Sequence, residues 1–339
     1  MPSSPRLRLR NFHLRGLRPR DSTASRRVFR TGALGVALLG SVGLAAAGAQ
    51  PAAASANYPV NYSFATGFVA GFFSPDTAPA GANNWSCKPS ATHPYPVVLV
   101  HGTFENMNDN WGAASPLLAD NGYCVFAFNY GGASSSSDIQ GTGDIAASAA
   151  QLAGFVTQVR NATGASKVDL VGHSQGGMMP RYYIKYLGGA STVDKLIGLA
   201  PSNNGTTLDG LTVLGQDLGI LEPLNGFLAS ACAACTEQEV GSGFLTNLNA
   251  GGETVSSVQY TVIESQDDEV VTPYTNAFLP AASNVTNILV QNQCALDQTD
   301  HLEIAYDPIA LTDVLNALDP AQPHAIPCQI VLPITGPVG

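Results

Sequence analysis

"KVDLVGHSQGG", residues 167–177, decides how this chain is read. An apolar run with the composition of a buried strand leads into Ser174, which has Gly172 two positions before it and Gly176 two positions after. "GMMPRYYIKYL" (177–187) then continues with helical spacing. A strand that turns sharply into a helix lifts the residue at the turn above the sheet edge. The turn leaves no room for a Cβ on either side, which is the task of the two glycines. It also brings the serine hydroxyl to a helix N-terminus, whose partial positive charge favours an oxyanion. This G-x-S-x-G pattern, with strand before and helix after, is a nucleophile elbow rather than an ordinary helix start, and Ser174 is its expected nucleophile.

A serine hydroxyl attacks only when a base takes its proton. On an elbow of this kind the partners follow in the order serine, acid, histidine. Two histidines come after Ser174. His301, in "DQTDHLEIAYDP" (297–308), lies on a loop beyond the last predicted strand and is the expected base. His324, in the Pro-rich "PAQPHAIP" (320–327), reads as a surface residue. The acid should follow a strand, and "YTVIESQDDEVVTP" offers Glu264, Asp267, Asp268 and Glu269. Glu269, beside an apolar pair, is the weaker choice; the residues alone do not separate Asp267 from Asp268. Oxyanion donors are expected from the backbone of Gln175 and from the loop in "VVLVHGTFEN" (97–106). There Gly102 permits a sharp turn and Thr103 offers its N–H and its hydroxyl. His101 and His173 precede the serine and read as structural supports.

Short apolar runs alternate with helical patterns along the rest of the chain. "PVVLV" (96–100), "YCVFAFNY" (123–130), "KVDLV" (167–171), "KLIGLA" (195–200), "VQYTVI" (258–263) and "VTNILV" (285–290) read as buried strands. Ile145, Ala149, Leu152, Val156 and Val159 mark a helix, with Thr142 as its expected cap. The fold class is α/β, a mostly parallel central sheet flanked by helices. Between about 202 and 250 the pattern loosens; the stretch is too long for a plain connection and reads as a cap or lid insertion. Its segment "LTVLGQDLGILEPLNGFLA" (211–229) is apolar enough to line an acyl pocket or meet a lipid interface. Residues 57–339 make one catalytic domain.

Residues 1–56 read as a cleaved export signal. Nine arginines are followed by "GALGVALLGSVGLAAAGA" (32–49) and by the small residues "AAASA" (52–56), with cleavage expected after Ala56. Ser25-Arg26-Arg27-Val28-Phe29 matches the start of a twin-arginine signal. Without this segment, six basic residues face 24 acidic ones, a net charge near −18. Such a surface repels nucleic acid and anionic membranes and favours a monomer. All six cysteines lie beyond the signal, an even count that points to disulfides. Cys232 and Cys235, three apart with no second pair to complete a metal site, read as a local bridge; sequence order does not choose the remaining pairing. Asp297, Asp300, Glu303 and Asp307 surround His301 without regular ligand spacing, so no metal is expected, and the chemistry calls for no cofactor.

"VVLVHGT", "GHSQGG", "DDEVVTPY" and "DH", in that order, resemble the secreted actinobacterial class 2 triacylglycerol lipases of the α/β-hydrolase superfamily. They are similar, more distantly, to Candida lipase B. The resemblance implies that Asp268 is the acid and His301 the base, with Thr103 and Gln175 forming the oxyanion hole. It also implies disulfides Cys87–Cys124 and Cys294–Cys328, leaving Cys232–Cys235 as the third. Candida lipase B lacks the CxxC pair in its cap and has Trp where His173 stands, so lid behaviour and acyl preference do not carry over. The expected activity is hydrolysis of a lipid or ester substrate through an acyl-enzyme, at an oil–water or polymer interface. Triacylglycerol lipase leads, with a shorter-chain esterase or cutinase-like polyester hydrolase as the alternative.

Overall fold

The computed structural model describes residues 57–219 and 232–338; the expected export signal and the end of the apolar stretch 211–229 lie outside the described residues. The apolar runs become strands β1 (Val97–Val100), β2 (Val125–Ala127), β3 (Val168–His173), β4 (Val193–Leu199), β5 (Gln259–Glu264) and β6 (Val285–Leu289). Every residue of β1, β2 and β3 is buried. Strands covered by helices on both faces have no solvent side, which is why these runs are apolar without alternation.

All five pairings are parallel, in the order β2-β1-β3-β4-β5-β6. From β1 the chain steps to one edge, and from β3 onward it steps to the other. At such a reversal a crevice opens beyond the carboxyl ends of the strands, and open α/β sheets place their ligands there. The loops bordering this crevice carry Thr103, just after β1, and Ser174, just after β3.

In chain order the helices are α1 (Phe64–Gly71), α2 (Met107–Asn110), α3 (Ala114–Asp120), α4 (Ile145–Thr163), α5 (Gln175–Met178), α6 (Pro180–Tyr186), α7 (Leu208–Asp217), α8 (Ala233–Glu237), α9 (Gly243–Asn249), α10 (Val290–Gln293) and α11 (Pro308–Leu318). The expected stripe of α4, Ile145 to Val159, is buried. Its cap is Asp144 rather than Thr142: the Asp144 carboxylate accepts the N–H of Ala147, while the Thr142 hydroxyl donates to Gly131 O. The carboxylate stands where it can reach the third residue of the helix. The helix expected over 177–187 is divided, because Pro180 has no N–H to continue the ladder and instead opens α6.

Helices α7, α8 and α9 all belong to the long connection between β4 and β5. Arg181 of α6, 2% exposed, ties this connection down. Its guanidinium donates to Asn203 O at 3.1 Å, Asn249 Oδ1 at 2.6 Å and Glu253 O at 3.0 Å. Burial lowers its pKa to about 10, so it stays charged at neutral pH. Three disulfides join Cys87 to Cys124, Cys232 to Cys235 and Cys294 to Cys328. Among the described residues no helix is long and apolar enough to cross a membrane.

Candidate active site

Ser174 is held at φ 53° and ψ −124°, a backbone conformation that non-glycine residues rarely adopt. The surrounding packing imposes it. A Cβ on Gly172 would fall 1.9 Å from Gly176 O, and one on Gly176 would fall 2.0 Å from Val100 O. The Ser174 N–H donates to Leu199 O at 2.9 Å, which fixes the turn to the end of β4. Glycine at 102 answers to space rather than to φ: a Cβ there would lie 2.3 Å from Glu105 Oε2 and 3.2 Å from the Ser174 Cβ.

The loops after β5 and β6 bring Asp268 and His301 together. Asp268 Oδ2 lies 2.8 Å from His301 Nδ1, and both side chains are 0% exposed. Asp268 Oδ1 accepts the N–H groups of Val270 and Val271 at 2.8 and 2.7 Å, so the carboxylate is held from two sides. Asp267, which the residues alone left level with Asp268, is exposed. Among the described residues, buried His301 Nε2 has no hydrogen-bond partner. With Nδ1–H engaged by Asp268, Nε2 is the nitrogen left to accept a proton.

The other two carboxylates of that loop play different parts. Burial, and then the charge of Asp268, push the Glu264 carboxyl well above the usual range. Burial, then Asp300 and Asp268, raise Glu269 to about 8, and its Oε2 accepts the His301 N–H at 3.4 Å. His324 is exposed. The carboxylates near His301 are taken up by backbone. Asp297 accepts Thr299 N–H, Asp300 accepts Glu303 N–H, Glu303 accepts Phe64 N–H, and Asp307 caps α11. Among the described residues no three His, Cys, Asp or Glu side chains are placed to hold a metal ion.

Beneath the elbow lies a second carboxylate–histidine pair, which sequence reasoning treated only as a support. His173 Nδ1 is 3.0 Å from Glu105 Oε2, and its Nε2 donates to His301 O at 2.8 Å. Asn110 completes the group: its Oδ1 accepts Gly102 N–H, and its Nδ2 donates to Glu105 Oε1 at 2.9 Å. Burial opposes charge on His173, but the Glu105 carboxylate and the two hydrogen bonds outweigh it, and the pKa rises. His101, stacked on Tyr130 and buried, is driven the other way to about 4, chiefly by burial. Glu105 and Asn110 were missed because "HGTFENMNDN" gives no spacing that joins them to a histidine 63 to 68 positions later.

The side chains of Thr103 and Gln175 meet. The Gln175 side-chain Nε2 donates to Thr103 Oγ1 at 2.8 Å and to Gly141 O at 2.7 Å. Gln175 is the first residue of α5, so its own N–H has no acceptor within the helix.

A parallel sheet with a strained serine at its reversal point, and a buried carboxylate–histidine pair on the neighbouring loops, defines an α/β-hydrolase. Within that class, residues 94–311 match the family model described as "Lipase (class 2)", and the chain belongs to this family. A triacylglycerol lipase of Pseudarthrobacter phenanthrenivorans is 42% identical over 93 residues, 26% of this chain and 27% of that protein. One from Burkholderia plantarii is 42% identical over 93 residues, 26% of this chain and 24% of that protein. The chain thus spans about a quarter of the curated relatives it matches. The crystal structure of Aspergillus fumigatus lipase B superimposes with a TM-score of 0.51 at 20% identity, covering 74% of this chain and 56% of that one; it supports the fold.

Proposed function

We propose that this chain is a secreted serine carboxylester hydrolase, a triacylglycerol lipase, with Ser174 as nucleophile, His301 as base and Asp268 as acid. The observation that carries this reading is the state of His301: Nδ1 held at 2.8 Å by Asp268, Nε2 uncommitted, in a fold whose elbow strains Ser174 to φ 53°. His301 Nε2 takes the Ser174 proton as the hydroxyl attacks the ester carbonyl. The N–H groups of Thr103 and Gln175 hold the tetrahedral oxyanion. The imidazolium, stabilised by Asp268, then protonates the leaving alcohol, and water repeats the sequence on the acyl-enzyme. Nothing in these steps needs a cofactor.

The substrate assignment draws on the family and on its triacylglycerol lipase relatives. The apolar stretch 211–229 of the cap agrees, as sequence, with action at a lipid interface, while Leu211, Leu214 and Leu218 within it are buried in the core. Export and removal of residues 1–56 are supported by the basic, apolar and small-residue series at the N-terminus and by three disulfides in the remainder. A monomer in solution is supported by the net charge of that remainder.

The test is hydrolysis of p-nitrophenyl esters of graded chain length and of emulsified triglyceride by the protein without residues 1–56, beside Ser174→Ala. Cleavage of long chains and triglyceride by the parent alone is the expected result. Cleavage restricted to short soluble esters would move the assignment to an esterase, and equal rates for parent and variant would remove Ser174 from the chemistry.

A further inference from the structure

We infer that Gln238, from the cap, is a positioning residue that aims the Thr103 hydroxyl at the oxyanion. This rests on the proposed role of Thr103, whose hydroxyl the sequence already offers as a donor, and adds to it the group that directs that hydroxyl. Thr103 and Gln238 are each 1% exposed and Gln175 is 0% exposed, so water does not compete for their polar atoms. Gln238 Nε2 donates to Thr103 Oγ1 at 2.9 Å and to Ala234 O at 3.1 Å, while Ser202 Oγ donates to Gln238 Oε1 at 2.9 Å. Gln175 Nε2 reaches the same Thr103 Oγ1 and also Gly141 O. A peptide carbonyl can only accept, so Ala234 O and Gly141 O decide which end of each amide is the nitrogen. Both amides therefore arrive at Oγ1 as donors.

A threonine hydroxyl has two acceptor lone pairs and one O–H. With both lone pairs filled, the O–H is confined to the one remaining tetrahedral direction, and among the described residues no acceptor meets it there. A buried donor with a fixed direction and no partner is what a preorganised oxyanion site requires. With one amide removed, a lone pair is open and the hydroxyl turns between two orientations.

Gln238 is 135 positions from Thr103, and its placement depends on α8. That helix is pinned to the start of α4: Ala234 N–H donates to Thr142 O at 3.1 Å, and Glu237 Oε2 accepts Ile145 N–H at 2.7 Å. The Cys232–Cys235 bridge spans a separation of three residues, so it removes little chain entropy and acts instead on the first turn of α8. A bridge that adds little global stability is thereby given a use: it fixes the helix that aims Gln238.

The experiment is a double-mutant cycle in kcat on a soluble p-nitrophenyl ester, with folding checked by circular dichroism. Thr103→Val, which keeps the backbone N–H, should lower kcat by about 10²-fold. Gln238→Met should lower kcat on the order of ten-fold with KM little changed, and should have no further effect in the Thr103→Val background. Gln238→Glu presents only acceptors once ionised, draws the Thr103 O–H toward itself and should lower kcat more than Gln238→Met does. Equal losses from Gln238→Met in both backgrounds, or a Gln238→Glu enzyme as fast as the parent, would overturn the assignment. If Gln238→Met does not fold, the cycle is run with Cys232→Ala plus Cys235→Ala, whose loss must also vanish with Thr103→Val; a loss that persists there overturns it. Failure of the underlying reading has a separate signature, an active Ser174→Ala or a Thr103→Val enzyme with unchanged kcat.

Discussion

Two imidazole rings lie 5.0 Å apart, His173 beneath the elbow and His301 beside it, and each sets its Nδ1 against a buried carboxylate. The pairings are 3.0 Å for His173 with Glu105 and 2.8 Å for His301 with Asp268. Their second nitrogens separate them. His173 Nε2 is committed to the backbone carbonyl of His301, whereas His301 Nε2 is left open. Burial and a carboxylate partner are common to both rings, so neither makes a base. What suits His301 to the proposed proton transfer is the unengaged nitrogen, and His173 holds the backbone on which that ring is carried.

The largest test of this contrast removes the chemistry altogether. Ser174→Ala or His301→Ala should lower kcat by about 10⁵-fold or more, measured on p-nitrophenyl esters against the folded parent. Asp268→Asn should lower kcat by roughly 10⁴-fold by presenting the wrong tautomer, while Asp267→Asn, at an exposed site, should leave it nearly unchanged. The second pair answers to stability instead. Glu105→Ala leaves His173 buried without its carboxylate and should destabilise the fold by about 3–5 kcal/mol in urea denaturation. Its kcat should fall far less than that of Asp268→Asn; a fall as large would place His173 in the proton path.

A further expected effect is on the pH dependence of stability, and it leaves the chemistry untouched. Burial raises the Glu303 carboxyl to about 9 from an ordinary 4.5. The folded protein therefore keeps a proton that the unfolded chain has lost. The stability this contributes is present below the unfolded value and is lost as pH rises through the folded one. The melting temperature should fall between about pH 5 and 9, and Glu303→Gln should flatten that decline. An unchanged slope in the variant would assign the decline to the other carboxyls that burial holds high, among them Glu269 at about 8 and Asp169 at about 7.

Much of this was legible one residue at a time. The run "KVDLV" and the glycines at 172 and 176 announce a strand, a turn and a helix, because close approach of backbone excludes every side chain but hydrogen. The order of Ser174, the acidic loop and His301 follows from the succession of loops at one end of a parallel sheet. The helix start was misplaced by two residues because Thr142 and Asp144 are both capping types, and only geometry shows whose oxygen reaches the third N–H.

The sequence by itself determined the parallel α/β sheet, the strained serine and the histidine proposed to serve it, since these depend on local period, backbone sterics and chain order. Between Asp267 and Asp268, two neighbours of the same chemistry, the residues by themselves did not choose and the resemblance implied Asp268; the tertiary structure shows which of them meets the histidine. One is turned to solvent, and the other is held by Val270, Val271 and His301. It also decided the partners of Glu105, Asn110 and Gln238, which touch residues far away in the chain. A hydrogen bond is specific to within a few tenths of an ångström and leaves no period in the sequence, so the contacts that set direction in the site appear only when the loops are folded together.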